Sequence, residues 1–169
     1  MGILKIVLLT MVLAMCSFLG IIKANRFKLR VVDLTEIKKA LNLILTKMRY
    51  TYEPLPELFK DVSKELKANI ANIFITAHTY MNELSAKEAW EKSVTESNNN
   101  FTNEDINIIK GLGNLLGKTD LEGQLMQIEL TTKLLEDNIK EAESLQRKNT
   151  KLYKTLGTTI GLAIMIIFI

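Results

Sequence analysis

Apolar residues of this chain are concentrated in an uncharged stretch at each end. Residues 6–22 (IVLLTMVLAMCSFLGII) are about as long as the shortest helix that crosses a bilayer. Residues 155–169 (TLGTTIGLAIMIIFI) form the second stretch, and Lys151 and Lys154 before it can extend their charged ends toward lipid headgroups. The pattern therefore predicts a transmembrane helix at each terminus.

Between the two stretches, apolar residues recur every three or four positions, which is the spacing of one face of an α-helix. Asp33 and Glu36 have the spacing of a capping box and predict the start of the first of these helices. Its apolar face would comprise Leu34, Ile37, Leu41, Ile44, Leu45, Met48 and Tyr52. Pro54 ends this helix because proline has no backbone N–H, and Pro56 suits the first turn of the next helix.

Later helix boundaries are marked by side chains that can accept hydrogen bonds from free backbone N–H groups. The capping pairs are Ser85 with Glu88 and Thr102 with Asp105. Asp120 is expected to cap the last helix, and Gly117 suits a left-handed residue at the end of the helix before it. Residues 97–100 (SNNN) predict a loop, because short polar side chains compete for backbone hydrogen bonds.

No stretch of the chain alternates with a period of two, so the predicted fold is all-α: an antiparallel bundle of about six helices, flanked by N- and C-terminal transmembrane helices. The predicted domains are an N-terminal transmembrane helix at residues 1–24, a helical bundle at 25–153 and a C-terminal transmembrane helix at 154–169. The apolar seam of the last helix can continue from residues 121–142 directly into the second span.

A cleaved signal peptide and a lipoprotein signal are the two alternatives to a transmembrane helix for the N-terminal stretch. A cleaved signal peptide fits less well, because apolar residues continue up to Lys23 where polar sequence is expected. A lipoprotein signal would use Leu13-Ala14-Met15-Cys16, but Met15 stands where a small residue is required. Cys16 is the only cysteine, so one chain cannot form a disulfide or a cysteine-based zinc site.

Basic residues flank the two spans on their inner sides. These residues are Lys23, Arg26, Lys28, Arg30, Arg147, Lys148, Lys151 and Lys154, whereas only Lys5 lies on an outer flank. Because Lys and Arg mark the cytoplasmic side of a span, we expect the bundle in the cytoplasm and both termini outside. Residues 31–146 hold 13 Lys and Arg against all 19 acidic residues, which favours membrane lipids over nucleic acid as the partner of the basic flanks.

Residues with catalytic or metal-binding chemistry do not form a recognisable site. His78 has no second histidine or cysteine partner and is interpreted as structural. Gly111 and the Gly117-Lys118-Thr119 segment resemble a phosphate-binding loop, but five residues separate the two glycines where the motif has four. We therefore expect no enzymatic activity, no cofactor and no small-molecule substrate.

Gly157 and Gly161 form a GxxxG pattern inside the C-terminal span. Small residues at this spacing allow the backbones of two membrane helices to approach closely. The pattern predicts a helix contact, either with the first span or with a partner, although two glycines at this spacing also occur by chance.

Several segments together resemble the stage III sporulation protein AB family of endospore-forming bacteria, over nearly the whole chain. The matching residues include Tyr50, Pro54, Leu55, Trp90, Gly113, Gly117, Asp120 and Gln124. The match continues through Lys148, Lys151 and Tyr153 to Gly157. Glu53 departs from the pattern, because the family usually has a small or polar residue with threonine before this Pro-Leu pair.

The resemblance implies a non-enzymatic subunit of the channel-like complex between mother cell and forespore, resident in the mother-cell membrane. The family is similar to the cytoplasmic domain of platform protein F of type II secretion and type IV pilus systems, which lies beside a secretion-type ATPase. The implied partners are therefore the operon's own ATPase, protein AA, and the other channel subunits.

A two-span sensor or receptor is the alternative function, since such proteins also carry a helical domain between two spans. In a receptor, however, the domain faces outward and a cytoplasmic signalling region follows. The basic flanks of this chain indicate the opposite orientation.

Overall fold

The computed structural model describes residues 2–51 and 53–168. Its helices are α1 (Gly2–Tyr50), α2 (Leu55–Ser63), α3 (Ala68–Tyr80), α4 (Ala86–Glu96), α5 (Asn103–Gly111), a 3-10 turn (Leu112–Asn114) and α6 (Leu121–Phe168). No strand occurs in the described ranges, so the all-α prediction is confirmed. Predictions on Tyr52 and on the terminal Met1 and Ile169 lie outside the described residues.

Contacts along the chain divide it into two compact units. The bundle unit is Val32–Lys140, and the terminal unit comprises the described residues up to Val31 together with those from Glu141 onward. The two long helices α1 and α6 each contribute residues to both units.

Within the bundle unit, α1 and α6 run antiparallel. Lys38 Nζ lies 2.7 Å from Glu136 Oε1, and further along α1 Arg49 pairs with Glu129, which comes earlier in α6. The short helices α2 to α5 pack in chain order, each on the next. Loops this short leave consecutive helices as neighbours, which is the arrangement expected of an antiparallel bundle.

The predicted helix start at Asp33 is wrong, because α1 continues without a break from Gly2 to Tyr50. No proline or glycine lies between Gly20 and Asp33, so nothing in the backbone interrupts the helix. The two carboxylates of the supposed capping box instead bind residues that are distant in the chain. Asp33 Oδ2 accepts from the backbone N and the Nδ2 of Asn100, at 3.1 and 2.8 Å.

Glu36 has the corresponding role at the start of α3. Its Oε1 accepts from the backbone N of Lys67 at 3.0 Å, and Lys67 is the N-cap residue whose own side chain makes no capping bond. Both Asp33 and Glu36 are buried. Asp33 therefore ties the loop at residues 97–100 to α1, whereas Glu36 ties the N-terminus of α3 to it.

The predicted starts of α4 and α5 are confirmed, but the helix expected to end at Gly117 is shorter: α5 ends at Gly111 and a 3-10 turn (Leu112–Asn114) follows, because Gly111 and Gly113 weaken an α-helix there. Both capping boxes are present, Ser85 with Glu88 at the start of α4 and Thr102 with Asp105 at the start of α5. Gly117 has φ of 68°, a left-handed conformation that costs glycine little. The last helix runs uninterrupted to Phe168, as its apolar seam predicted.

Two of the helices contain stretches that are long and apolar enough to cross a membrane, within Val7–Tyr50 and Leu121–Phe168. Most residues of these apolar stretches are exposed. They therefore differ from the core helix of a soluble protein, whose apolar residues would be buried.

Candidate functional site

Trp90 is the centre of an aromatic cluster in the bundle unit. Its ring centroid lies 5.5 Å from that of Phe59 and 5.2 Å from that of Phe74, and all three rings are fully buried. The indole Nε1 donates to the carbonyl oxygen of Ile109 at 2.7 Å, so the one polar atom of the ring is satisfied. Trp90 thus joins α2, α3 and α4 and binds α5 through its polar end.

Gly113 packs directly against this cluster. A Cβ atom added there would lie 3.1 Å from Trp90 Cδ1 and 3.4 Å from the carbonyl oxygen of Lys87. The absence of a side chain therefore allows the 3-10 turn to approach α4 closely. Trp90 and Gly113, matched singly in the sequence, form one contact in the fold.

Gly117, Asp120 and Gln124 form a hydrogen-bonded turn at the start of α6. Gln124 Oε1 accepts from the backbone N of Gly117 at 3.2 Å, and its Nε2 donates to the carbonyl oxygen of Thr119 at 3.0 Å. Asp120 Oδ1 accepts from the backbone N of Gly123 at 3.0 Å, as expected of an N-cap. These bonds hold the left-handed Gly117 in place beside the helix that follows.

A cavity of about 400 Å³ opens beside this turn, between the end of α1, the start of α2 and the start of α6. The side chains that line it are Met48, Glu53, Leu55, Leu121 and Gln124, together with Gly117. Three residues of the matched pattern, Leu55, Gly117 and Gln124, therefore meet at one cavity. Tyr50 and Pro54 of the same pattern are exposed, Tyr50 to 78%.

Within the terminal unit, the two apolar helices touch at glycines. A Cβ added at Gly157 would lie 2.8 Å from the Cys16 carbonyl oxygen and 3.2 Å from Gly20 Cα, and one added at Gly161 would lie 3.1 Å from Leu13 Cα. Both glycines of the GxxxG pattern thus pack on the first apolar helix. Gly20, the residue opposite Gly157, carried no recognised motif and was missed.

The basic residues that flank the apolar stretches differ in exposure. Seven of the eight are exposed: Lys23, Arg26, Lys28, Arg147, Lys148, Lys151 and Lys154. Arg30 is only 7% exposed, and its Nη2 lies 3.6 Å from Glu141 Oε2. Arg30 is therefore held in a protein contact, whereas the other seven are free of such burial. Phe27 and Tyr153, which are sequence neighbours of these basic residues, stack with ring centroids 5.7 Å apart.

The histidine and the most buried carboxylate of the bundle unit, His78 and Asp105, both have structural partners. Among the described residues, no three His, Cys, Asp or Glu side chains are close enough to hold a metal ion. His78 Nδ1 lies 3.0 Å from the carbonyl oxygen of Pro56, to which it donates when the ring carries a hydrogen on Nδ1. The buried Asp105 accepts from Asn138 Nδ2 at 2.8 Å as well as capping α5.

Comparison with known proteins agrees with this arrangement. The family model described as stage III sporulation protein AB matches residues 5–169. Stage III sporulation protein AB of Bacillus subtilis (strain 168) is 25% identical over 155 residues, which cover 89% of this chain and 91% of that protein. A solved structure of stage III sporulation protein AB covers 71% of this chain and 98% of its own, with a TM-score of 0.65 and 23% identity, and shows the same fold. Since the family model spans nearly the whole sequence, this chain belongs to the stage III sporulation protein AB family.

Proposed function

We propose that this chain is a non-enzymatic membrane scaffold subunit of the sporulation channel complex between mother cell and forespore. It resides in the mother-cell membrane with the bundle unit in the cytoplasm, and it couples the secretion-type ATPase, protein AA, to the membrane subunits. The observation that carries the proposal is a helical bundle that lies, in the chain, between two exposed apolar helical stretches with basic inner flanks.

Residence in a membrane is supported by the exposed apolar surface of the two long helices. The exposed residues include Leu4, Val7, Met11, Met15, Phe18, Leu19, Ile160, Leu162, Ile166, Ile167 and Phe168. So large an apolar surface is unfavourable in water and favourable in lipid. The glycine contacts support the same environment, because small residues at helix interfaces are typical of membrane helix pairs.

A scaffold role is supported by how the buried polar groups of the bundle unit are used. Asp33, Glu36 and Asp105 bind backbone or amide groups of other segments, and the Trp90 indole binds a carbonyl. Each of these bonds joins two elements of the fold. These three carboxylates and the indole therefore hold the elements of the bundle unit together.

The ATPase is proposed as partner from the family resemblance and from the orientation that the charges imply. A cytoplasmic ATPase can reach only a cytoplasmic domain, and the positive flanks favour that side for the bundle unit. The bundle carries an excess of acidic residues, so we propose that its exposed carboxylates attract basic groups of the ATPase.

The topology is tested by labelling single cysteines in intact cells, in a background with Cys16→Ser. Asn98→Cys is the better reporter in the loop, because Asn98 is exposed whereas Asn99 is half-buried and donates to Ser97. A cysteine added after Ile169 is the paired reporter. We expect a membrane-impermeant maleimide to label the added C-terminal cysteine and not Asn98→Cys; labelling at residue 98 would exclude the cytoplasmic platform.

The ATPase contact is tested by charge reversal followed by co-purification of the full chain with the ATPase. Exposed glutamates at Glu65, Glu83 and Glu104 are changed to Lys, and exposed lysines at Lys118 and Lys133 are changed to Glu as matched controls. Loss of co-purification in at least one glutamate variant, with the lysine variants unaffected, is the expected result. Full retention in every glutamate variant would rule out the electrostatic form of the contact.

A further inference from the structure

The cavity beside the start of α6 is lined by Glu53, whose carboxylate has one oxygen without a hydrogen-bond partner among the described residues. Glu53 is half-buried, and its Oε2 atom is shielded from solvent yet has no hydrogen-bond partner in the part of the chain that the structure describes. A shielded carboxylate oxygen without a donor is energetically costly, because the charge has lost water without gaining a replacement. The Glu53 carboxylate is therefore stabilised if its side chain turns toward a donor that enters the cavity, and a charged donor stabilises it most.

The remaining walls of this cavity are mainly apolar. Met48, Leu55 and Leu121 contribute them, and Gln124 is already occupied by its bonds to Gly117 and Thr119. A volume of about 400 Å³ lies within the range of small-ligand pockets, roughly 300–1,000 Å³. The shape and chemistry thus suit one long side chain with an apolar stem and a cationic end.

We propose that this cavity binds an arginine side chain of a partner protein, with the guanidinium paired to Glu53 and the stem packed on Met48, Leu55 and Leu121. Arginine fits better than lysine because the guanidinium is planar and weakly hydrated, so it loses less on leaving water and can bind a carboxylate with two parallel bonds. An anionic ligand is disfavoured by the Glu53 charge. This inference rests on the proposed function only in taking the ATPase as the natural donor of that arginine.

The chemistry of the cavity is tested on the full chain in detergent with butylguanidinium as the probe and butylurea as its neutral isostere. Leucine methyl signals in NMR spectra report binding at Leu55 and Leu121. We expect saturable shifts at these two residues with butylguanidinium, about tenfold weaker binding in Glu53→Gln, and no comparable shifts with butylurea. Glu57→Gln, at an exposed position of α2, is the matched control and should bind as the native protein does.

Equal binding of butylurea, undiminished binding in Glu53→Gln, or no saturable shift with butylguanidinium would overturn the proposal. Glu53→Gln is close in size to the native side chain, so the melting temperature of the variant shows whether the fold is retained. Because the probe is a small molecule, this result does not depend on the ATPase.

The role of the ATPase is examined separately by co-purification with Glu53→Gln and Glu57→Gln. Reduced recovery of the ATPase with Glu53→Gln alone would identify it as the donor of the arginine. If the ATPase fails to co-purify even with the native chain while butylguanidinium binds, the proposed function fails and the arginine site stands. Native co-purification with no probe binding leaves the proposed function intact and removes the arginine site.

Discussion

Individual residues in this protein often serve elements that are distant in the chain. Asp33 binds Asn100 across 67 positions, and Glu36 binds Lys67 across 31. A local pattern reports only neighbours, so both carboxylates looked like a helix cap. Gly113 shows the same dependence on tertiary contact, since its importance comes from the distance to Trp90 and not from an unusual backbone angle.

Replacing Gly113 by alanine is expected to destabilise the bundle by about 1–3 kcal/mol, because the added methyl group overpacks the contact with Trp90 and Lys87. Gly111→Ala is the matched control: nothing lies within 4 Å of its added Cβ, so it should be neutral or stabilising by about 0.4–1 kcal/mol. The free energy of unfolding of each variant is measured by denaturant unfolding, followed by the fluorescence of Trp90, the single tryptophan. Equal stability of the two variants would contradict this account of Gly113.

The capping box at Ser85 makes the stability of α4 depend on pH. The Ser85 hydroxyl donates to Glu88 Oε2 at 2.7 Å and the Ser85 backbone N–H at 3.1 Å, and these bonds lower the pKa of Glu88 from its ordinary value of 4.5. A lowered pKa in the folded state gives stability that is present above the unfolded value and is lost as pH falls through the folded one. The native protein should therefore exceed Glu88→Gln in stability at pH 7, and the difference should shrink below about pH 4.5.

Unfolding at pH 7 and at a pH near 3 measures this difference. The control is the same pair of proteins in a Ser85→Ala background, where the hydroxyl that contributes most to the shift is gone. The pH-dependent difference should be smaller there. A difference that is unchanged by Ser85→Ala would mean that the hydroxyl is not its source.

At the scale of elements, the terminal unit depends on the close approach of two apolar helices. Gly20, Gly157 and Gly161 lie where an added Cβ would meet the backbone of the opposite helix. Pairing within one chain thus uses the GxxxG surface that the sequence left open to a partner. The stacked rings of Phe27 and Tyr153 continue the contact toward the basic flanks.

A cysteine at position 161 should form a disulfide with the native Cys16, because the two Cβ atoms would lie 3.4 Å apart, near the usual disulfide range of about 3.5–4.5 Å. The added Cβ would also lie 3.1 Å from Leu13 Cα, so the two helices must separate slightly, which brings the Cβ–Cβ distance into that range. Mild oxidation of Gly161→Cys is expected to remove both free thiols and leave a monomer on a non-reducing gel. Leu162→Cys, at the adjacent exposed position, should keep both of its thiols free, because it does not face Cys16. Dimers linked through position 161 would instead show that this surface meets a second molecule.

At the scale of the whole molecule, the distribution of charge is expected to set the orientation in the membrane. Only exposed basic residues are suitable for testing this, because Arg30 is buried against Glu141 and its loss would leave that contact broken. The other flanking basic residues are exposed, so replacing them by neutral residues changes the charge with little effect on packing.

Moving the positive charges to the outer flank should invert the protein. The inner residues neutralised to Gln are Lys23, Arg26, Lys28, Lys148, Lys151 and Lys154. Gly2→Lys and Leu4→Lys add charge outside, and Asn98→Cys reports the side of the bundle. We expect the labelled fraction at residue 98 to rise from near zero to a majority. In the control, the same number of Lys→Gln changes on the bundle surface should leave Asn98→Cys unlabelled. If Asn98→Cys stays unlabelled in the flank variant as well, charge does not control the orientation.

The sequence by itself determined the all-α class, the two apolar stretches, both capping boxes at Ser85 and Thr102, and the left-handed Gly117. Each depends on residues within a few positions of one another, so local spacing contains the necessary information. The continuity of α1 through Asp33 was mispredicted, since a capping pattern does not start a helix where the preceding residues are already helical.

Only the tertiary structure decided which distant residues meet. It joined Trp90 to Gly113, set Gly20 against Gly157, and placed Glu53 in a cavity with Leu55, Leu121 and Gln124. It also separated Arg30 from the other flanking basic residues by burying it. These outcomes follow from how helices pack, and packing depends on the shapes of several faces at once, which no single stretch of sequence contains.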